Sequence, residues 1–128
     1  MMQHQKFGMV LIAGLVIGAA AVEGLHAQAK PPAYVVVDIR SITDPNGLQA
    51  VIMKTAPQVL SGAGGHYVIR TNEVTSLDGT PPKRFVLIAF DSVEKAQAWH
   101  NLPAQKEIDA LRAKSTDSVS FIVEGMAN

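Results

Sequence analysis

Four short apolar runs with strand-like alternation, separated by helical regions and one polar loop, constrain the fold more than any other feature of this chain. Strands are predicted at residues 33–42, 66–72, 83–90 and 118–124, where β-branched and aromatic residues are frequent. Helical spacing of apolar residues follows at 45–62 and 92–114. Strand, helix, strand, strand, helix, strand is the order of ferredoxin-like domains. We therefore expect an α+β, ferredoxin-like βαββαβ domain with an antiparallel four-stranded sheet.

The first strand carries bulky side chains on both of its faces. Val35 and Val37 point to one side, and Tyr34 and Val36 point to the other. A strand that is apolar on both faces is typical of a central strand with both faces covered.

Cap and turn residues mark the first helical region. Asp44 can accept hydrogen bonds from free backbone N–H groups, and Pro45 stands where its missing N–H costs nothing. The Gly-Ala-Gly-Gly segment at 62–65 can end the helix, because glycine tolerates the left-handed conformation. Pro57 interrupts the pattern and predicts a kink or a second helix start.

The second helical region begins with Asp91-Ser92-Val93-Glu94, which resembles a capping box. Leu102-Pro103 interrupts it, so we expect a further helix from Pro103 to about residue 114. The side chains expected to face the core are Val93, Ala96, Trp99, Ile108 and Leu111. Residues 73–82 are rich in Gly, Pro, Asp, Ser and Thr and predict a long hairpin loop.

The N-terminal segment has the pattern of a secretory signal peptide. Lys6 precedes the apolar stretch 7–22, and Ala-Gln-Ala at 27–29 places small residues where a signal peptidase cuts. The alternative, an uncleaved membrane anchor, is disfavoured because the stretch is shorter than the roughly 20 residues that span a bilayer. We expect residues 1–29 to be removed, and residues 30–128 to form one periplasmic or secreted domain without membrane contact.

Composition excludes several function classes for that domain. The whole chain has eleven basic and eleven acidic residues, of which Lys6 and Glu23 precede the domain, and they form no block of like charge. A nucleic-acid partner is therefore not expected, because binding to phosphates needs a basic surface. The chain has no cysteine, so neither disulfides nor thiolate chemistry can contribute. A domain of about a hundred residues has a small core, which pairing with a second copy would enlarge.

Asp38 is the most informative polar residue, because it interrupts the apolar first strand. A carboxylate on a covered face must find a partner or change its pKa. The candidate partners are Arg40, Arg70 and Arg84. We favour a structural ion pair, for which Arg84 is the partner to test; in the alternative, an arginine holds a substrate carboxylate and Asp38 moves a proton.

Histidines and aromatic residues support no specific chemistry by themselves. His66 and His100 are the only histidines after residue 29, too few for a zinc or iron site without other ligands. We expect no metal, no haem and no other cofactor. Trp99 and Tyr34 could line an apolar ligand pocket, although such residues more often fill a core. No G-x-S-x-G motif supports serine-hydrolase chemistry.

Four motifs in order resemble one protein family. They are AYVVVD at 33–38, GGHYVIR at 64–70, RFVLIAFDSVEKAQAW at 84–99 and IVEG at 122–125. The chain resembles the family catalogued as domain of unknown function 1330, which implies a dimeric α+β barrel built from two ferredoxin-like sheets across a twofold axis.

The chain also departs from that family after the shared tryptophan. The family tends to have an aromatic residue there, and then a proline-acidic-tyrosine turn. This chain has His100, followed by Pro103, Ala104 and Gln105, so a site built from that tyrosine is not carried over.

These observations favour an exported homodimer of unestablished function that binds a small organic ligand in the barrel or has a non-catalytic role. The ligand-binding candidates are Arg40, Arg70, Trp99 and Tyr34. The alternative is a cofactor-independent enzyme that resembles the monooxygenases and isomerases of the superfamily, with Asp38, His66 and Arg84 as catalytic candidates.

Overall fold

The computed structural model describes residues 30–50 and 55–127, and Pro31–Met126 form one compact unit. The elements, in chain order, are β1 (Ala33–Ile42), α1 (Pro45–Ala50), α2 (Ala56–Gly62), β2 (His66–Thr71), β3 (Arg84–Phe90), α3 (Val93–His100), α4 (Pro103–Ser115) and β4 (Thr116–Glu124). The signal-peptide prediction at 1–29 lies outside the described residues.

The sheet has four strands in the order β2-β3-β1-β4, and every pairing is antiparallel. Val35 lies between Ile88 of β3 and Ile122 of β4, so side chains in register share a face. β1 is a central strand, as its pattern predicts. The antiparallel ferredoxin-like prediction is confirmed.

One face of the sheet packs against the helices and forms the core. The buried core residues are Ala33, Val35, Val37, Ile39, Leu60, Val86, Ile88, Phe90, Ala96 and Trp99. Trp99 is 6% exposed, and its ring lies 5.4 Å from the ring of Phe90 between centroids. The prediction that α3 turns Ala96 and Trp99 inward is confirmed.

Local capping bonds fix the helix ends. Asp44 Oδ1 accepts from the backbone N–H of Gly47 at 3.1 Å, and Ser92 Oγ accepts from that of Lys95 at 3.2 Å. Gly64 has φ +85° just after α2, where a side chain would be strained. The Asp44 cap and the glycine at the end of α2 are the ones that the sequence predicts, whereas the cap of α3 is Ser92, one residue after the first residue of the predicted capping box.

The first helical region is described in two parts. α1 ends at Ala50, and α2 begins at Ala56 with Pro57 in its first turn, where proline is tolerated. The junction at 51–54 lies outside the described residues, so the predicted kink is not tested.

One core prediction on α4 is wrong. Ile108 is buried, but Leu111 is 49% exposed. The buried residues of α4 are Gln105, Ile108 and Ser115. They lie along one side of the helix, and Leu111 lies next to that side. Apolar character alone therefore misidentified one inward position.

The second face of the sheet, here named the open face, carries no helix of the compact unit. Its residues, assigned by strand register, are Tyr34, Val36, Asp38, His66, Ile69, Thr71, Phe85, Leu87, Ala89, Val119, Phe121 and Val123. Phe121 is 50% exposed, and Val119 and Val123 are also exposed.

In the part of the chain described, no helix is long and apolar enough to cross a membrane.

Candidate ligand site

Asp38 lies on the open face and forms an ion pair within its own strand. Its Oδ2 accepts from Arg40 Nη2 at 2.9 Å, with the two side chains 20% and 45% exposed. Arg40 Nη1 also donates to the carbonyl oxygen of Thr80 at 2.9 Å. The pair therefore joins β1 to the loop before β3.

Of the three candidate partners of Asp38, Arg84 is not the one that the structure shows. Arg84 is in register with Ile39, whereas Asp38 is in register with Phe85. Adjacent residues of a strand point to opposite faces, so the two side chains are separated by the sheet. Arg40, two positions along the same strand, is the partner instead.

Arg70 is not a partner of Asp38 either. It is in register with Val86 on the helix side of the sheet, and its guanidinium carbon lies 4.5 Å from the Tyr67 ring centroid. This distance is that of a cation–π contact. The two residues together border a cavity between the sheet and the helices.

The three catalytic candidates do not converge. His66 begins β2, is exposed, and is in register with Ala89 on the open face. Ala89 is four residues along β3 from Phe85, which is the register partner of Asp38. Arg84 points to the opposite face of the sheet. No hydrogen bond or ion pair in the described ranges joins any two of the three. Their catalytic roles stay predictions.

The ligand-binding candidates also divide between the two faces. Tyr34 is half-buried on the open face beside Val123, and Arg40 lies on that face too. Arg70 and Trp99 lie on the helix side and line the same cavity.

Sequence reasoning missed a polar cluster that centres on Asp109 of α4. Asp109 Oδ1 accepts from Gln105 Nε2 at 2.9 Å and lies 3.1 Å from Arg112 Nη2. Asp109 Oδ2 lies 3.4 Å from His100 Nδ1 at the end of α3. The cluster therefore ties the end of α3 to α4.

Helical spacing explains why these residues meet. Gln105, Asp109 and Arg112 occupy positions i, i+4 and i+7 of α4, which share one side of a helix. Only two residues separate α3 from α4, which brings His100 next to that side. The sequence does show polar residues at helical spacing next to Ile108, but they are overlooked when only the apolar faces of helices are considered.

Two neighbouring cavities lie between this cluster and the sheet. The smaller, of about 60 Å³, is lined by Ile39, Ile88 and Ile108 together with Gln105 and residues common to both cavities. The larger, of about 200 Å³, extends toward β4 and is lined by Val35, Ile122, His100 and Asp109. The common residues are Val37, Trp99 and Arg112. The site therefore has an apolar floor on the sheet and a polar wall on the helices.

A wider groove lies on the open face beside Asp38. Its volume is about 430 Å³, and Thr71, Glu73 and Phe85 contribute to its lining. Asp38 thus borders an open groove while its carboxylate is paired with Arg40.

Over residues 30–50 and 55–127, no group of three or more His, Asp or Glu side chains could hold a metal ion.

The family model for the domain of unknown function DUF1330 matches residues 32–126, which is nearly the whole compact unit. The chain belongs to this family. The resemblance seen in the four sequence motifs is confirmed, and the family is one without an established function. No curated protein shows significant sequence similarity to the chain.

Solved structures share the fold at low sequence identity. A protein of unknown function from Rhodopseudomonas palustris has a TM-score of 0.60 at 16% identity, over 77% of this chain and 85% of that one. SnoaB, a cofactor-independent oxygenase from Streptomyces nogalater, has a TM-score of 0.53 at 13% identity, over 77% and 96%. At such identities the likeness shows the ferredoxin-like fold alone.

Proposed function

We propose that this protein binds a small organic molecule between helices α3 and α4 and the sheet. The observation that carries the proposal is the cavity of about 200 Å³ with its apolar floor and its wall of His100, Asp109 and Arg112. Concave apolar sites with a few polar groups are the usual form of a ligand site.

The volume sets the size of the ligand. An apolar cavity of about 150 Å³ holds a benzene molecule, whereas drug-sized ligands occupy about 300–1,000 Å³. The larger cavity therefore fits a molecule with one ring or a short branched chain.

The charges of the wall favour a ligand without net charge. Arg112 is the cation that lines both cavities, and its Nη2 is 3.1 Å from Asp109 Oδ1. Arg70 lines only the smaller cavity, where its guanidinium lies over the Tyr67 ring. An anionic ligand would compete with Asp109 for the guanidinium, and a cationic one would meet Arg112. A neutral ligand leaves this pair intact.

A cavity-filling variant tests the proposal. Val37→Phe adds bulk at a residue that lines both cavities. Val68→Phe makes the same change at an exposed position on β2 and serves as the control. Native mass spectrometry should detect a co-purified small molecule in the wild type and in Val68→Phe, and lose it in Val37→Phe. An unchanged ligand signal in a folded Val37→Phe variant would contradict the proposed site.

A second candidate is a cofactor-independent enzyme, since SnoaB, which shares the fold, is a cofactor-independent oxygenase. The observation that favours it is the His100–Asp109 contact at the cavity wall, since a histidine oriented by a carboxylate can act as a general base. Conversion of the bound molecule under air, lost in His100→Gln with binding retained, would support this candidate. Binding without conversion would favour the first.

The open face supports a homodimer as the working form. Phe121, Val119 and Val123 expose apolar surface on a sheet face that no helix of the compact unit covers. Exposed apolar patches of this kind mark interaction sites, and a twofold pairing would place the same patch on both subunits. Two sheets that meet in this way would close the barrel that the family resemblance implies.

We further propose that the protein acts outside the cytoplasm. The proposal rests on the charged, apolar and small-residue pattern of residues 1–29. N-terminal sequencing of the protein from the periplasm should begin at Lys30. Membrane-bound protein with an intact Met1 would contradict it.

A further inference from the structure

Two buried polar atoms of the site have no hydrogen-bond partner among the residues that the structure describes. They are Nε1 of Trp99 and Oε1 of Gln105, and the two residues are only 6% and 2% exposed. Both residues line the smaller cavity. Buried polar atoms are normally hydrogen-bonded, so each such atom needs an explanation.

Each of the two atoms can form only one kind of hydrogen bond. An indole N–H can only donate. The Gln105 amide is oriented by Asp109, because its Nε2 donates to Asp109 Oδ1 at 2.9 Å. A flipped amide would place two acceptors against each other. The unpaired atom of Gln105 is therefore the carbonyl oxygen, which can only accept.

A ligand group that satisfies both atoms must accept one hydrogen bond and donate another. A hydroxyl group on a ligand does both. A bound water would also do so, but it would give an alcohol no advantage over a ketone of similar shape. A carboxylate accepts from Trp99 but has no hydrogen for Gln105, and an ammonium group donates but cannot accept. The smaller cavity, of about 60 Å³, has room for a group of this size, and Val37, Trp99 and Arg112 connect it to the larger one.

We infer that the ligand is a small neutral alcohol, whose hydroxyl group is bound by Trp99 Nε1 and Gln105 Oε1 and whose apolar part occupies the larger cavity. This inference rests on the proposed ligand site and narrows it to one ligand class. Trp99 and Gln105 then determine specificity, because an analogue without the hydroxyl hydrogen leaves the Gln105 oxygen unpaired.

Three probes that share a six-membered carbon ring test the inference by titration calorimetry on the mature wild-type protein. Cyclohexanol donates and accepts, cyclohexanone only accepts, and cyclohexanecarboxylate is an anion. Cyclohexanol should bind about tenfold more tightly than cyclohexanone, since one hydrogen bond to a buried group is worth about that factor. The carboxylate should bind more weakly than either. This comparison needs no variant.

A matched pair of variants assigns the preference to one side chain. Gln105→Met removes the acceptor with little change in length, and the ratio of alcohol to ketone affinity should fall to about one. Gln97→Met makes the same substitution at an exposed position on α3 and should keep the wild-type ratio. Circular dichroism establishes that both variants are folded.

Failure of the inference and failure of the binding function give different results. If the ketone binds as tightly as the alcohol, or if Gln105→Met keeps the ratio, the alcohol inference is overturned and the ligand site stands. Silylation of a co-purified ligand should add a trimethylsilyl group for its hydroxyl, and a ligand that takes none also overturns the inference. If no probe binds and the wild type and Val37→Phe carry the same small molecules, the binding function itself fails.

Discussion

Both faces of the sheet are largely apolar, but the one beneath the helices is the more deeply buried. Val35 and Val37 of β1 are nearly inaccessible beneath the helices, whereas Phe121 on the other side is 50% exposed. Alternation along a strand indicates which residues share a face, and it does not indicate what covers that face. The helices cover one face within the chain, whereas the open face leaves apolar side chains exposed that a second surface could cover.

The polar groups of the two faces differ in the same way. On the helix side, Asp109 has Gln105, Arg112 and His100 as neighbours beside a cavity of about 200 Å³. On the open face, Asp38 has Arg40 beside a wide groove. The cluster around Asp109 is the stronger candidate for ligand recognition, because it brings several polar side chains together at a concave apolar surface.

The largest effect is expected on the covered face. Trp99→Ala should lower the free energy of unfolding by about 3–5 kcal/mol, because it leaves a large void beside Phe90. Urea denaturation of wild type and variant at one protein concentration measures the difference. Leu77→Ala, at a loop residue that is 99% exposed, is the control and should change little. A loss below about 1 kcal/mol for Trp99→Ala would mean that the covered face is not a packed core.

A smaller effect is expected on the open face, and it should appear as a weaker association of the two subunits. Phe121→Glu places a charge in the proposed dimer interface and should weaken the dimer by about 2–3 kcal/mol, the range of an interface hot spot. Light scattering at micromolar concentration should then report the mass of one subunit instead of two. Leu77→Glu adds the same charge at another exposed apolar residue and should leave the mass of the dimer unchanged. A wild-type protein that is a stable monomer would contradict the barrel.

Most of the fold could be predicted because its signals are local. β1 has the predicted bounds, Ala33–Ile42, since strand alternation is a property of neighbouring residues. Asp44 caps its helix as expected, and the cap of α3 is displaced by only one residue from the predicted box, because a cap involves residues only three positions apart. Sheet order followed from the order of the elements.

The candidate site could not be predicted because its contacts depend on packing. Whether Asp38 faces Arg84 is decided by the register of β1 against β3, and a difference of one residue reverses the answer. The Asp109 cluster requires α3 and α4 to meet at a particular angle over the sheet. Helical spacing places Gln105, Asp109 and Arg112 on one side of α4, but the contact of His100 with Asp109 depends on how the two helices pack.

A modest effect is expected from the ion pair on the open face. Asp38→Asn should cost about 1 kcal/mol or less, because Arg40 is 45% exposed and ion pairs near solvent contribute little. A buried pair would instead cost about 3–5 kcal/mol when broken. Urea denaturation in the monomeric Phe121→Glu background isolates the contribution within one subunit. A loss of several kcal/mol there would show that the pair is buried in solution.

The smallest effect is expected at the residue whose burial was wrongly predicted. Leu111→Ala should change the free energy of unfolding by no more than about 0.5 kcal/mol, because the side chain already contacts water and alanine is a better helix former. Ile108→Ala, one turn earlier on the buried side of α4, should cost about 2–5 kcal/mol and is the matched comparison. Urea denaturation of both variants, again in the Phe121→Glu background, compares the two sides of one helix. Equal losses would mean that α4 is rotated relative to the structure, which would also remove the Asp109 cluster from the cavity wall.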